Sequence, residues 1–212
     1  MRFKYPRTYH FPWSEGRSRD DLVLDSVEHF LGKTVVVSEK LDGENTTLYK
    51  DSLHARSLDS KSHPSRNWVK QLQARLSFDI PDGWRICGEN VYAKHSIKYE
   101  ELESYFYVFG IYDENNFCLS YEDTMQWTEL LNLKLVPELY RGRWDEDKIK
   151  SCYTGISQLG GQQEGYVVRV TDKFNYENFK ESTAKFVRRG HIQNEEHWMN
   201  LVLEPNKLKE II

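Results

Sequence analysis

Short apolar runs separated by polar turns extend along most of this 212-residue chain. The runs are rich in β-branched and aromatic residues, and Asp-Gly or Asn-Asn pairs follow several of them. This pattern is typical of strands joined by tight turns. It predicts strands at residues 35–37, 46–49, 53–57, 84–92, 105–112, 117–119, 165–170 and 184–189.

Apolar residues spaced three or four apart predict helices at residues 22–31, 68–78, 124–133 and 145–153. Gly32 marks the end of the first helix. In the third helix, Met125, Leu130 and Leu131 are expected to face the core. The tail, residues 191–212, is predicted to be helical in part.

Hairpins mixed with scattered helices predict an α+β fold, with largely antiparallel sheets flanked by helices. The length suits one large domain with a small appendage. We expect an N-terminal segment and helix at 1–33 that pack on the core, a core domain at 34–190, and a short C-terminal tail at 191–212.

Composition narrows the classes of function. The formal net charge of −4 excludes a chain that is basic along its whole length, although a local basic patch remains possible. Aromatic residues make up 14% of the chain and can serve both as core and as stacking surfaces for bases. The odd set Cys87, Cys118 and Cys152 favours a reducing, cytoplasmic compartment. No apolar run approaches the length of a membrane span, so no membrane partner is expected.

Charged residues recur at the margins of the predicted strands. Lys40 lies between an apolar strand and the Asp42-Gly43 turn, where its ammonium can lose water and its pKa is expected to fall. The others are Arg56, Glu89, Glu164 and Lys185. Each alone is typical of a solvated or ion-paired surface. Because the same setting recurs five times, we expect these strand ends to converge on one pocket suited to a polyphosphate and a divalent metal.

Six segments also resemble, in order, nucleotidyltransferase motifs I, Ia, III, IIIa, IV and V of ATP-dependent polynucleotide ligases and mRNA capping enzymes. They are residues 39–43, 54–57, 87–90, 107–113, 164–169 and 184–186. The strongest resemblance is to nick-sealing RNA ligases of the phage RNA ligase 2-like kind, and it covers about residues 34–189. It implies the nucleotidyltransferase (ATP-grasp-like ligase) core. Too few residues follow motif V for an OB-fold domain.

The resemblance implies a catalytic group. Lys40 would attack the α-phosphate of ATP and form a lysyl–AMP phosphoramidate. Asp42 would orient the nucleophile or the hydration shell of a metal. Glu164 would bind that metal, Mg²⁺ with Mn²⁺ as a substitute, through water. Lys185 would neutralise the α-phosphate in the transition state.

The resemblance also implies contacts to the substrates. Glu39 would read the adenine amino group, with a simple salt bridge as the alternative. Glu89 would bind the ribose hydroxyls. Phe109 would stack on adenine, with core packing as the alternative. Arg56 would contact the ribose or the 5′-phosphate of RNA, and the pair Arg188-Arg189 would contact the RNA end.

The chain departs from the family at two positions. Thr183 replaces the first of two motif V lysines, and Lys180 or Arg188 is the candidate to supply the missing charge. Glu44 follows motif I, and nothing in the sequence explains a glutamate at this position. A basic stretch at 61–75 could contact phosphates or form a solvated helix face.

The favoured function is an ATP-dependent RNA ligase that acts on RNA ends in a nicked duplex or a single strand. The alternatives are a capping-type nucleotidyltransferase and a non-catalytic module that binds nucleotides or RNA ends. The sequence identifies no protein partner.

Overall fold

The computed structural model describes residues 1–191 and 203–210. The strands in this part of the chain are β1 Tyr9–His10, β2 Thr34–Lys40, β3 Glu44–Leu48, β4 Leu53–Ala55, β5 Arg85–Asn90, β6 Phe106–Tyr112, β7 Phe117–Cys118, β8 Lys134–Leu135, β9 Glu138–Arg143, β10 Gly165–Val170, β11 Phe174–Asn175 and β12 Thr183–Val187. The α-helices are α1 Asn67–Leu76, α2 Tyr121–Leu130 and α3 Glu146–Ser151. Short 3₁₀ helices lie at Glu28–Phe30, Pro64–Arg66 and Tyr176–Glu181.

The strands form two sheets. The first has the order β1-β12-β10-β2-β9, and the second has the order β11-β7-β6-β5-β3-β4, with β8 paired to β6. All pairs are antiparallel except β1 with β12 and β6 with β8. Residues 41–43 carry the chain from β2 in the first sheet to β3 in the second. The predicted α+β fold with largely antiparallel sheets is confirmed.

Apolar residues of β2 and β10 build the core beside the first sheet. Val35, Val37 and Val168 are completely buried, and they share one cluster with residues of the N-terminal segment such as Phe11 and Phe30. Burying side chains of this size contributes roughly 1.5–3 kcal/mol each before the entropy of ordering is subtracted. The continuous apolar run of β2 therefore marks a strand in the sheet interior.

The helix predicted at 22–31 is wrong. His10 donates its backbone N–H to the carbonyl of Leu22, and Leu24 donates to the carbonyl of His10. Because these groups bond to β1, they are not available for i to i−4 helical bonds, and only the 3₁₀ turn Glu28–Phe30 forms. Gly32 follows with a φ of +74°, a conformation that favours glycine.

Two further predictions about helices and strands differ from the structure. In α2, Leu130 is 74% exposed, while Thr124 and Thr128 are buried. Their hydroxyls donate to the carbonyls of Ser120 and Thr124 one turn earlier, which allows threonines to occupy the inner face. Strand β9 was not predicted because its residues are mostly polar and only partly buried.

The C-terminal residues 203–210 are extended rather than helical and lie against residues 91–102. Asn206 is the buried residue that anchors them: its amide donates to the carbonyl of Val91 and accepts from the N–H of Tyr99. The rest of the tail that was predicted to be helical in part lies outside the described residues. None of the helices in the described part is long and apolar enough to cross a bilayer.

Candidate active site

Lys40 and Glu164 meet where β2 and β10 pair. Lys40 is the last residue of β2 and lies opposite Gly165, so Glu164 is beside it. The Lys40 Nζ is 2.7 Å from the Glu164 Oε1. The Lys40 side chain is 24% exposed and that of Glu164 only 1%. The Lys40 side chain is therefore partly accessible, and its amine is bound to a buried carboxylate.

Asp42 is held on the segment between the sheets. Its Oδ2 accepts from the backbone N–H and hydroxyl of Ser96 and from the N–H of Ile97, each at 2.8 Å. Its own N–H donates to the Tyr99 hydroxyl at 2.8 Å. A Cβ at Gly43 would lie 2.6 Å from the carbonyl oxygen of Asn90, so the close approach of the chain to β5 requires glycine here.

His191 joins these two carboxylates. Its Nε2 is 3.1 Å from the Glu164 Oε1 and 3.6 Å from the Asp42 Oδ1. One donor atom from each of the three residues lies within 4.8 Å of the others. The carboxylate oxygens and imidazole nitrogen offered here are ligands that divalent cations use.

Lys185 lies close to Lys40 but on β12. Its pKa is lowered to about 8, first because burial removes water from the ammonium and then because the Lys40 cation is near. His10 of β1 lies opposite Lys185, and Asp21 approaches the same group. Burial and the Lys185 cation lower the pKa of His10 to about 4, so this histidine is neutral near pH 7. Arg56 is also near enough to act on Lys185 electrostatically.

The second sheet supplies Glu89 from β5 and Phe109 from β6. Burial raises the pKa of Glu89 to about 8; Lys40 opposes this shift, and Glu164 and Asp42 add to it. Phe109 is partly buried, and its ring centroid is 5.0 Å from that of Tyr5, edge to face.

Glu39, next to Lys40 on β2, is 2% exposed. Its Oε2 accepts from the N–H of Gln158, and its Oε1 has no partner among the described residues. Burial raises the pKa of its carboxyl. A buried acceptor left open in this way fits a hydrogen-bond donor on a ligand.

The structure thus places Lys40, Asp42, Glu164, Lys185 and Glu89 around one site between the sheets, with Glu39 and Arg56 at its margins. Phe109 packs against two clusters of the core. Arg188 follows β12 and donates its backbone N–H to the Glu164 carbonyl, while Arg189 is exposed. Sequence reasoning missed Tyr5, His10 and Asp21. The aromatic N-terminal segment was noticeable, but no local pattern indicates that it pairs with a strand at the other end of the chain.

Comparison with known proteins places this chain in a family. A family model described as RNA ligase matches residues 33–187, most of the chain. The chain belongs to the RNA ligase family. The resemblance described from the six segments is therefore confirmed at the level of the family. A search of curated proteins finds no match.

Solved structures similar to this RNA ligase family member include the Naegleria gruberi RNA ligase with PPi, at 22% identity and a TM-score of 0.56, covering 76% of this chain and 51% of that chain. A variant of that ligase with AMP and Mn matches at 20% identity and a TM-score of 0.56, covering 76% and 51%. An apo variant matches at 18% and 0.56, covering 86% and 56%. The likeness shows a shared fold, and this chain spans about half the length of these structures.

The expected fall in the Lys40 pKa is wrong for the protein alone. Burial lowers the pKa of Lys40, but Glu164, Glu89 and Asp42 outweigh it, and the net shift is upward. The pKa of Glu164 is lowered, since Lys40 and His191 together outweigh its burial. In this RNA ligase family member the raised pKa therefore keeps Lys40 as an ammonium ion in the protein alone.

Thr183, the position that departs from the family, lies opposite Arg169 on β10. Arg169 is buried and donates to the carbonyl of Leu119 at 2.7 Å. A lysine at 183 would place a second cation beside this guanidinium, and like charges on opposing residues are destabilising. Lys180 instead pairs with Asp25. Arg169 is therefore the cation that lies directly opposite position 183, where the family motif has its first lysine.

Glu44 now has an explanation. Its two carboxylate oxygens accept from the Nε and Nη2 of Arg66, at 2.6 and 2.5 Å. Arg66 also donates to the carbonyl of Lys61, so the pair fixes the loop before α1. Because Arg66 is buried in this bidentate pair, the basic stretch at 61–75 presents fewer charges to a phosphate than the sequence suggests.

Asn206→Ala should destabilise the protein. The substitution leaves the Val91 carbonyl and the Tyr99 N–H without partners, and each buried unsatisfied group costs about 1–3 kcal/mol. Urea denaturation measures the loss of free energy of unfolding. Lys209→Ala is the matched control, because this exposed tail residue bonds through its backbone. Equal stability of the Asn206 variant and wild type would show that the tail does not hold the residues that support Asp42.

Proposed function

We propose that this chain is an ATP-dependent RNA ligase that joins 3′-hydroxyl and 5′-phosphate ends through a lysyl–AMP intermediate. The observation that carries the proposal is the amine of Lys40, which is paired with buried Glu164 at 2.7 Å and bordered by Lys185. A single amine between anionic and cationic groups suits attack on a phosphorus atom whose charge must be offset. Membership of the RNA ligase family supports this reading.

Three residues would recognise the nucleotide. The open Oε1 of Glu39 would accept from the amino group of adenine, which GTP lacks at the corresponding position. Phe109 would pack on the base, with Tyr5 holding its ring from the edge. Glu89 has its pKa raised to about 8, so near neutrality it carries a proton and would both donate to and accept from ribose hydroxyls.

The first step would transfer AMP to Lys40. The ammonium gives one proton to water, its nitrogen bonds to the α-phosphorus of ATP, and the bond from that phosphorus to the bridging oxygen breaks to release pyrophosphate. A second proton passes from the nitrogen to water, so the product is a phosphoramidate N–H. Lys185 would offset the charge on the α-phosphate. The ion pair with Glu164 holds Lys40 in place before the attack.

Asp42 and Glu164 would hold the divalent cation, Mg²⁺ with Mn²⁺ as a substitute. The fit rests on the donors: Glu164 Oε2 is buried without a partner among the described residues, and the Asp42 Oδ1 faces the same space. When bound, the cation would supply positive charge that stabilises the neutral form of Lys40 and the charge on the phosphate.

The later steps would seal the RNA. An oxygen of a 5′-phosphate attacks the phosphorus of lysyl–AMP, the P–N bond breaks, and the Lys40 nitrogen takes up two protons from water to become an ammonium again. A 3′-hydroxyl then attacks the 5′-phosphate and releases AMP. Arg56 and the pair Arg188-Arg189 would bind the phosphates of the RNA end, in a nicked duplex or a single strand. The three free cysteines support the proposal that the protein acts in the cytoplasm.

A labelling and ligation panel tests the proposal. The full chain is incubated with α-labelled ATP or GTP, denatured, and separately given nicked duplexes and single strands with RNA or DNA on each side. We expect covalent AMP and joined RNA ends. Covalent GMP alone would indicate capping-type chemistry. Nucleotide binding without any covalent product would indicate the non-catalytic module.

Glu39→Gln should weaken the selection of ATP. Replacing the carboxylate removes a charge-assisted hydrogen bond worth about 1.5–3 kcal/mol, so the KM for ATP in adenylylation should rise about 10- to 100-fold. KM values for ATP and GTP measure the effect. Glu129→Gln, an exposed glutamate of α2, is the matched control. An unchanged KM for ATP would contradict the assignment of Glu39 to adenine.

A further inference from the structure

His191 lies at the site with its imidazole ring directed at two carboxylates. Its side chain is 2% exposed, although it lies beyond the last strand of the first sheet. Its Nδ1 is 3.4 Å from the Ser96 hydroxyl, which fixes the direction of the ring. Its Nε2 consequently points at the Glu164 Oε1 and the Asp42 Oδ1, at 3.1 and 3.6 Å.

The two carboxylates present open oxygens to this nitrogen. Asp42 uses its Oδ2 for three bonds from Ser96 and Ile97, and its Oδ1 is the oxygen that faces His191. Glu164 shares its Oε1 between Lys40 and His191, while its Oε2 is buried without a partner among the described residues. One imidazole nitrogen and carboxylate oxygens with free lone pairs thus lie close together, although their residues come from three separate parts of the chain.

We propose that His191 is a direct nitrogen ligand of a divalent cation held with Asp42 and Glu164. The Ser96 hydroxyl would orient the ring through the other nitrogen, as the outer partners of metal-bound histidines do. An imidazole nitrogen binds a transition-metal ion such as Mn²⁺ better than it binds Mg²⁺, which keeps to oxygen ligands. The site therefore selects Mn²⁺ over Mg²⁺ more strongly than the two carboxylates alone would.

The role of this cation in catalysis rests on the proposed function, because the cation would lie beside Lys40. The structural consequence of metal binding is that it ties residues 188–191, which follow β12, to Asp42 and Glu164. Metal binding and the position of residues 188–191 are then coupled, which neither carboxylate could achieve alone.

The test is pulsed electron paramagnetic resonance of Mn²⁺ bound to the full chain, without ATP or RNA. We expect nitrogen coupling in the wild type and its loss in His191→Ala, with the dissociation constant for Mn²⁺ rising about 10- to 100-fold. His191→Asp restores an oxygen ligand, so it should bind the metal without nitrogen coupling and discriminate less against Mg²⁺. His29→Ala, which alters a histidine packed against Phe30, is the matched control and should retain the coupling.

The proposal is overturned if bound Mn²⁺ shows no nitrogen coupling in the wild type, or if His191→Ala leaves both the coupling and the affinity unchanged. Circular dichroism establishes that each variant is folded. Because these measurements involve no nucleotide, a chain that binds Mn²⁺ through nitrogen but forms no covalent AMP would refute the ligase proposal alone.

Discussion

Lys40→Ala should abolish the formation of covalent AMP, lowering the rate of adenylylation by on the order of 10³-fold or more. The reason is that the Lys40 Nζ is the amine held at the centre of the site, at 2.7 Å from Glu164. The measurement is the retention of label from α-labelled ATP after denaturation. A phosphoramidate is labile in acid and stable in alkali, so this behaviour of the wild-type adduct tests for a bond to nitrogen.

Lys40→Arg is the control for folding. Alanine leaves Glu164 as a buried carboxylate without its main partner, and breaking a buried pair costs about 3–5 kcal/mol. Arginine keeps a cation at that position but is a poor nucleophile because it stays protonated. We expect a folded arginine variant without label. Label that persists in either variant would assign the nucleophile to another residue.

Lys185→Ala should lower the rate of adenylylation about 10²–10³-fold, the usual effect of removing one group that stabilises transition-state charge. Lys185 has this role in the proposal because it lies on β12, close to Lys40. Single-turnover rates with saturating ATP measure the effect on the chemical step. Lys50→Ala, which removes an exposed ion pair with Asp82, is the matched control. A loss confined to KM would instead assign Lys185 to ATP binding.

The pH profile adds a second readout for Lys185. Its pKa in the free protein is about 8, so its positive charge is present below that pH and is lost as the pH rises. Since kcat/KM reports the free enzyme, kcat/KM for ATP should fall above about pH 8. Lys185→Arg should make this falling limb shallower, because arginine stays charged. The limb that remains would belong to Glu89, whose pKa is also about 8, and an unchanged limb in the arginine variant would contradict the role of Lys185.

Most of the longer strands could be predicted from the sequence because buried strands need apolar runs, and turn residues separate them. The run at Val35–Val37 and the turn at Asp42-Gly43 are examples, and both lie where they were expected. The strand ends that carry Lys40, Glu164 and Lys185 also come together, because antiparallel pairing of β10 with β2 and β12 sets them side by side.

Other features depend on contacts that no local pattern encodes. The segment at 22–24 bonds to β1 instead of forming a helix, and β1 itself exists only because β12 offers it an open edge. The direction of the Lys40 pKa shift could not be predicted either, since it depends on how close Glu164, Glu89 and Asp42 lie. The role of Glu44 could not be predicted, because its partner Arg66 lies 22 residues further along the chain.

The passage from β2 to β3 has a mechanical consequence. Residues 41–43 are one of four places where the described chain crosses between the sheets, and the others are residues 136–137, 171–173 and 176–182. Tyr99 and Ser96 also pin Asp42 in the middle of the first crossing. Because any separation of the sheets would have to displace all four crossings at once, the sheets cannot swing apart about a single hinge. The spacing between Lys40 and Asp42 is therefore set by the backbone itself.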